Sequence, residues 1–216
     1  MIQLVYNMKT YQDTENCLIG KVLRHPQEQH SMRQMAVEAG LSYVTVHKIV
    51  PRLLKKKVIR MEKKGKAHLV SIDFDRAPIE TLSSASLYEK SKLLKKHPAL
   101  TLLLRELEEA LAEQFYSLLL FGSYVKGTAR PESDFDLLFI IPQQQDLEAY
   151  KERINKVVRL YPKMKTDLTI VSAADFMEML NQKYTVGRSA FQQGLVLFGA
   201  EYYYSMVKAY VRTHGY

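Results

Sequence analysis

Residues 118–140 read LLLFGSYVKGTARPESDFDLLFI, and this stretch contains the strongest indication of the fold. The apolar run at 118–121 predicts a buried strand that ends at the Gly122-Ser123 pair. After ten intervening residues, a second and largely apolar segment begins at Asp134. The two segments and the polar turn between them predict neighbouring strands of one sheet.

The second predicted strand carries two carboxylates, Asp134 and Asp136, on either side of Phe135. Side chains alternate between the faces of a strand, so the two carboxylates share one face, about 7 Å apart, and Phe135 points into the core. Like charges at this spacing repel each other unless a cation lies between them. Oxygen-only ligands with open positions suit Mg²⁺ that arrives with a nucleotide.

The Gly122-Ser123 pair offers a complementary group of anion-binding atoms. Glycine lets the backbone approach a phosphate or another segment closely, and N–H groups at a helix start, together with a hydroxyl, bind anions. A phosphate-binding turn beside a metal-binding strand is what phosphoryl or nucleotidyl transfer requires, because that chemistry depends mainly on positioning and charge neutralisation.

A third acidic residue is expected if the site holds two metal ions. Residues 165–171, KTDLTIV, alternate as a strand does and place Asp167 on one face together with Thr169. Asp167 is therefore the candidate for the third carboxylate.

These motifs together resemble the DNA polymerase beta nucleotidyltransferase superfamily, and they are most similar to its minimal, MNT-type prokaryotic members. The resemblance covers roughly residues 98–200. It implies that Asp134 and Asp136 bind two Mg²⁺ ions. It also implies that Asp167 binds the catalytic ion and helps to deprotonate the attacking hydroxyl.

The same resemblance assigns the triphosphate of the NTP substrate to Gly122 and Ser123. The turn KGTARPES at residues 126–133 is also similar to the family. Lys126 and Arg130 are candidate phosphate contacts, because cations there would offset the charge of the triphosphate. Solvated loop charges are the alternative for both.

Composition limits the class of protein. The chain has 216 residues, of which 47% are hydrophobic, enough for one large or two small domains with packed cores. No apolar run approaches the ~20 residues of a membrane-spanning helix, and the start, MIQLVYNMKTYQD, lacks the form of a secretion signal. A single cysteine, Cys17, excludes an internal disulfide and is expected in the core. We expect a cytoplasmic protein without a membrane partner.

Positive charge is concentrated in the N-terminal third of the chain. The net charge is +8, and residues 1–75 hold 13 Lys and Arg against 7 Asp and Glu. Between Lys48 and Lys66, nine basic residues accompany one acidic residue, Glu62. This basic stripe indicates a polyanionic partner for the N-terminal part; a solvated lysine-rich face is the alternative.

Residues 1–75 also predict a compact helical module. Helical patterns at 14–24, 31–38 and 43–55 precede two short strands joined by a basic glycine turn. This order resembles a winged helix-turn-helix domain, and SMRQMAVEAGLSYVTVHKIVPRLLKKKVI, at residues 31–59, is similar to its middle section. Pro51 is expected to kink or shorten the third helix.

If the module binds duplex DNA, its contacts lie on the third helix and the wing. The candidate nucleic-acid-binding residues are Tyr43, Val44, His47, Lys48, Lys63, Lys64 and Lys66. A module used for dimerisation or protein contact is the alternative, and His47 could equally be a plain surface residue.

The expected fold class is α+β, with a winged helix-turn-helix in residues 1–75 and a nucleotidyltransferase domain of mixed sheet and flanking helices in residues 98–216. Residues 76–97 are expected to form a linker and a connecting helix. Within them, the Ser- and Thr-rich stretch up to residue 86 predicts the linker, and 87–96 a short helix. A tyrosine-rich helix at 201–211 is expected to pack in the core or a dimer surface, with stacking on a nucleobase as the alternative.

Two functions follow. The first is a Mg²⁺-dependent nucleotidyltransferase that moves NMP from an NTP to a hydroxyl of a protein, an RNA end or a small molecule, coupled to a nucleic-acid-binding winged helix. The second is a DNA-binding regulator whose nucleotidyltransferase domain senses a nucleotide or serves as a scaffold. Three like charges kept together argue against a pure scaffold. A homodimer is compatible with either function.

Overall fold

The structure is a computed structural model, and it describes residues 10–65, 67–142 and 147–215. Over these ranges the chain folds into helices and strands that form two separate sheets. The helices are α1 Tyr11–Leu23, α2 Met32–Ala39, α3 Tyr43–Lys55, α4 Ile79–Lys96, α5 Pro98–Ala110, α6 Ser123–Lys126, α7 Leu147–Val158, α8 Ala173–Asn181, α9 Val186–Gln193 and α10 Ala200–His214. The strands are β1 His30–Ser31, β2 Ile59–Lys64, β3 Ala67–Ile72, β4 Ser117–Phe121, β5 Phe135–Ile141, β6 Thr166–Ser172 and β7 Leu195–Phe198.

The C-terminal sheet is mixed and has four strands in the order β6-β5-β4-β7. The central strand β4 runs antiparallel to β5 and β7, whereas β5 and β6 are parallel. Parallel neighbours need a crossover, which α7 supplies. The predicted α+β class and the mixed sheet with flanking helices are confirmed.

Alternating side chains bury both faces of this sheet. One face, with Leu118, Leu120 and Leu137, packs in a core with residues of α5 and α7. The other face, with Leu119 and Leu138, belongs to a core that includes residues of α8, α9 and α10. The beginning of β5 departs from this pattern, because Asp136 occupies a position on the second face that is only partly covered.

The N-terminal part contains α1 to α3 and a small antiparallel sheet in the order β1-β3-β2. Gly40 ends α2 with a positive φ of 62°, which the tight turn between α2 and α3 requires. Helix α3 continues through Pro51 to Lys55, so the expected shortening is absent. Its buried side, which includes Leu53 beyond the proline, holds the last turn in place.

The connection between the two parts differs from its prediction. Helix α4 begins at Ile79, so much of the stretch expected to be a linker is helical. Leu82, Ala85 and Glu89 are buried on α4, which packs against α1, α10 and β7. The second half of α4 was predicted as the helix at 87–96. Its first half was missed because small polar residues occupy positions of close helix packing, and such residues are also typical of loops. The predicted domain boundaries themselves stay a prediction.

The other helices and strands predicted from the sequence are present, with ends that differ by a few residues. Helix α9 was not predicted, and neither were β1 and the short α6. Cys17 is fully buried, and Tyr203 and Tyr204 of α10 lie in the core, as expected. In the described part of the chain, no helix has the length and apolar character to cross a membrane.

Candidate active site

Two of the three predicted carboxylates are neighbours across the sheet. The parallel pairing of β5 with β6 places Asp136 in register with Asp167. Register partners in adjacent strands direct their side chains to the same face. Asp134 immediately precedes β5 and is exposed, while Phe135 between the two carboxylates is 7% exposed. The predicted alternation of Asp134, Phe135 and Asp136 is therefore present.

The Gly122-Ser123 turn lies directly against Asp136. Phe121, the last residue of β4, pairs with Asp136 of β5. Gly122 follows with a φ of 71°, and a Cβ built on it would overlap Oδ2 of Asp136. The backbone N–H of Ser123 donates a hydrogen bond to the Asp136 carboxylate. Only glycine permits this approach, because any side chain would meet the carboxylate and also strain the backbone.

The groups around Asp136 shift the pKa of its carboxyl group. Burial raises the pKa of Asp136, and the carboxylates of Asp167 and Asp134 raise it further. The cation of Lys126 and the N–H of Ser123 act in the opposite direction. The predicted carboxylates, the glycine–serine turn and Lys126 thus all influence one carboxyl group.

The three carboxylates do not form a complete metal-binding site by themselves. Over residues 10–65, 67–142 and 147–215, no group of three or more His, Cys, Asp or Glu side chains is arranged to hold a metal ion. Asp134 and Asp167 are both exposed, and only Asp136 is partly buried. This donor set fits Mg²⁺, which proteins commonly bind through one or two carboxylates together with substrate phosphates. A cation there would also relieve the repulsion at Asp136.

The two candidate phosphate contacts occupy different positions. Lys126 ends α6 and is exposed, close enough to Asp136 to lower its pKa. Arg130 lies in an exposed turn, where its backbone N–H donates to Oγ of Ser133 at 2.9 Å and its carbonyl accepts from the Ser133 N–H at 3.0 Å. Lys126 is therefore part of the Asp136 environment, whereas the described contacts of Arg130 are those of the turn.

A cavity of about 660 Å³ opens beside these segments. Tyr124 stacks on Phe135 there with ring centroids 3.9 Å apart, and Lys163 and Lys165 line the cavity just before Asp167. Among the residues that the structure describes, its lining includes Lys96 and no acidic side chain. Sequence reasoning missed this cavity, although Tyr124 adjoins the predicted Ser123 and the two lysines precede the predicted Asp167. Its charge favours anionic ligands.

A larger cavity, of about 810 Å³, is lined by none of the predicted site residues that the structure describes. It is lined by residues of β2, α9 and α10, including Arg60, Arg188 and Tyr210.

The candidate nucleic-acid contacts are exposed wherever the structure describes them. Tyr43 and Val44 are 53% and 60% exposed at the start of α3, and the Tyr43 ring lies 6.0 Å from that of His47. The remaining described candidates, also exposed, are His47, Lys48, Lys63 and Lys64. Lys66 lies outside the described residues.

Comparison with known proteins bears on one part of the chain. A family model described as a nucleotidyltransferase domain matches residues 104–185. This range extends from α5 past α8 and contains the glycine–serine turn and all three carboxylates. No curated protein and no solved structure matches the chain. Residues 104–185 are thus similar to a nucleotidyltransferase domain, and this similarity supports an enzyme that transfers nucleotidyl groups.

Proposed function

We propose that the chain is a Mg²⁺-dependent nucleotidyltransferase that moves NMP from an NTP to an acceptor hydroxyl and releases pyrophosphate. One observation carries the proposal. Asp136 and Asp167 are register partners at the point where the Gly122-Ser123 turn touches Asp136, inside the segment that matches the nucleotidyltransferase domain. This arrangement puts metal ligands and phosphate-binding backbone in one place.

Each residue has a proposed role. Asp134, Asp136 and Asp167 would hold the metal ions, which supply charge neutralisation for the triphosphate and lower the barrier to ionising the acceptor hydroxyl. Gly122 admits a phosphate close to the backbone, and the hydroxyl of Ser123 orients it, while the Ser123 N–H stays on the Asp136 carboxylate.

The cations and the exposed carboxylate complete the proposed chemistry. Lys126 adds positive charge beside the phosphates, with Arg130 as a second candidate on the adjoining turn. Asp167 is exposed toward solvent, where an acceptor can approach and lose its proton to the carboxylate. The acceptor oxygen then bonds to the α-phosphorus as the bond to pyrophosphate breaks.

The test is transfer of label from α-labelled NTPs with Mg²⁺, using the protein itself, RNA and small hydroxyl compounds as acceptors. Asp136→Asn and Asp167→Asn should each lower transfer on the order of 100-fold or more. Asp75→Asn is the matched control, since Asp75 lies outside the domain and pairs with Arg212. Transfer that persists in both site variants would refute the assigned roles.

We also propose that residues 10–72 form a winged helix-turn-helix that binds nucleic acid. Support comes from the element order α1-β1-α2-α3-β2-β3 and from the exposed residues of α3 and β2. Part of the basic stripe is already neutralised, because Lys56 and Arg52 pair with the buried Glu15 at 2.6 and 3.4 Å. The proposed contact surface is thus limited to α3 and the β2 end of the wing.

Salt-dependent binding to duplex DNA tests this second part. Lys63→Gln and Lys64→Gln should each weaken binding and reduce the slope of log affinity against log salt by about 1. Lys183→Gln, an exposed lysine in the loop before α9, is the control and should leave the slope unchanged. Equal effects of all three substitutions would mean that the wing has no particular part in binding.

A second candidate function is a DNA-binding regulator whose nucleotidyltransferase domain binds a nucleotide without transferring it. The observation that favours it is the exposed basic surface of α3 and β2, with Lys48, Lys63 and Lys64. Duplex binding that responds to NTP, with no label transfer to any acceptor, would select this candidate.

A further inference from the structure

Helix α4 carries a buried carboxylate between the two parts of the molecule. The Glu89 side chain is 1% exposed, and its Oε2 lies 2.6 Å from Nη2 of Arg24 and 3.5 Å from Nζ of Lys21. Its Oε1 lies 3.6 Å from Nζ of Lys92. A buried carboxylate depends on such partners to remain ionised. Gly20 lets it fit, because a Cβ there would lie 2.5 Å from Cγ of Glu89.

Arg24 has a second contact that Glu89 does not require. Arg24 caps the C-terminus of α1, and its Nη1 donates to the carbonyl oxygen of Val125 at 3.1 Å. Val125 belongs to α6, the short helix that follows the Gly122-Ser123 pair. One guanidinium therefore joins α1, α4 and the turn at the candidate active site.

The carbonyl that Arg24 binds is one that the helix leaves without an internal partner. The last carbonyls of any helix lack intrahelical donors, and α6 has four residues. The Gly122 carbonyl accepts from the Lys126 N–H at 3.1 Å, and the Ser123 carbonyl accepts from Thr128 at 3.0 Å. Arg24 supplies the donor for Val125, while the Val125 side chain is anchored in the core at 4% exposed.

We propose that Arg24 is a positioning residue for nucleotide binding. It holds α6 from the side of the N-terminal part, so that Gly122 stays against Asp136 and the Ser123 N–H stays on the carboxylate. The inference rests on the proposed function in one respect, namely that this turn receives the triphosphate. The geometric part, that Arg24 fixes residues 122–128, does not depend on any activity.

The alternative is that Arg24 only balances the charge of Glu89. Replacing the arginine with lysine distinguishes the two roles. The guanidinium reaches two acceptors at once, whereas an ammonium is a single point of charge. Arg24→Lys keeps a cation for Glu89 and removes the bridge to Val125. Lys92→Gln is the matched control, because it weakens the ion pairs of the same carboxylate and leaves the Arg24–Val125 hydrogen bond intact.

The experiment measures two quantities on the full chain for both variants. The first is amide hydrogen exchange in residues 122–128, which reports how firmly the turn is held. The second is KM for the NTP and kcat in the label-transfer assay. Arg24→Lys should speed exchange in this segment and raise KM by up to about tenfold, the factor reached if the whole free energy of the lost charge-assisted hydrogen bond serves to hold the turn in its binding conformation.

The Lys92→Gln control distinguishes a positioning role from charge balance at Glu89. Lys92→Gln should lower the melting temperature without changing exchange at 122–128 or KM. If Arg24→Lys leaves exchange in the turn unchanged, or if Lys92→Gln accelerates it equally, the positioning role is refuted. If the wild-type protein transfers no label, the proposed function fails, while the exchange comparison still decides the role of Arg24.

Discussion

At the scale of single residues, Gly122 and Gly127 form a natural pair for comparison. Both have a positive φ, 71° and 75°. At Gly122 a Cβ would overlap the Asp136 carboxylate, whereas at Gly127 nothing lies within 4 Å of one. We expect Gly127→Ala to cost about 1 kcal/mol of stability through backbone strain. Gly122→Ala should cost more and should abolish nucleotide transfer, because the turn must move away from Asp136.

Urea unfolding and the label-transfer assay on both variants check this prediction. A Gly127→Ala protein with nearly normal transfer shows that backbone strain alone does not remove activity. Equal losses of stability and transfer in the two variants would contradict the assigned contact between Gly122 and Asp136.

Asp136 gives a pH-dependent prediction with a definite sign. Burial first, and then the neighbouring carboxylates, raise its pKa in the folded state. Between the unfolded and the folded pKa the folded protein binds the extra proton, so the free energy of unfolding falls as pH rises through this window. Asp136→Asn lacks this titration, and it should be more stable than wild type at pH 7 and lose that advantage in acid.

Asp75→Asn is the control with the opposite sign. The hydrogen bond from Arg212 lowers the pKa of Asp75, so its stabilising effect is present at neutral pH and disappears as pH falls through the folded pKa. Urea unfolding of the three proteins from pH 3 to 8 measures both trends.

Added Mg²⁺ should narrow the difference in unfolding free energy between wild type and Asp136→Asn, because the cation stabilises the carboxylate. An Asp136→Asn protein less stable than wild type at pH 7 would contradict the described electrostatics.

The candidate residues of the site could be proposed from the sequence because most of their signal is local. Strand alternation places Asp134 and Asp136 on one side, and the β5–β6 register brings Asp167 beside them. Arg24 was not predictable, because its two partners are 65 and 101 residues away in the chain. Only the packing of α1 on α4 brings such groups together.

At the scale of elements, helix propensity and packing have opposite effects at Gly20, where α1 contacts α4. Alanine is favoured over glycine in a helix by about 1 kcal/mol. At Gly20 of α1, however, the added Cβ would lie 2.5 Å from the ion-paired and buried Glu89. We expect Gly20→Ala to destabilise the protein by about 1–3 kcal/mol, the usual cost of overpacking.

Ser84→Ala serves as the control for this prediction. Ser84 is exposed in α4, so alanine there should raise stability by a few tenths of a kcal/mol, to the extent that helix propensity acts alone. Urea midpoints of the two variants provide the comparison. A stabilised Gly20→Ala protein would mean that α1 and α4 are not in close contact.

The first half of α4 shows why some helices could not be predicted from the sequence. The positions of Leu82, Ala85, Glu89 and Leu93 follow helical spacing, and all four are buried. Ser83 and Ser86 between them are also buried, yet their composition favours a loop when the chain is read alone. A strongly periodic segment such as α3 was predicted at its true bounds, because its large apolar residues are compatible with only one type of element.

At the scale of the whole molecule, one hydrophobic core crosses the predicted domain boundaries. It contains Cys17 of α1, Leu82 of α4, Leu138 of β5 and Val207 of α10. Polar contacts reinforce it, since Oγ of Ser86 and the hydroxyl of Tyr204 lie 2.6 Å apart in a buried setting. A shared core of this kind predicts cooperative unfolding of both parts, even though the sequence suggests separate modules.

The single cysteine makes this cooperativity measurable. Cys17 is fully buried in the N-terminal part, so its reaction with a thiol reagent reports unfolding there. Far-UV circular dichroism reports the helices of the whole chain. We expect the two urea midpoints to coincide.

The decisive variant is Tyr204→Phe in α10, which leaves the buried Ser86 hydroxyl without its tyrosine partner and should cost about 1–3 kcal/mol of stability. If the core is shared, this C-terminal substitution lowers the midpoint of Cys17 labelling as much as that of the circular dichroism. If Cys17 labelling keeps its wild-type midpoint while the dichroism shifts, the two parts unfold independently, and the shared core does not couple them.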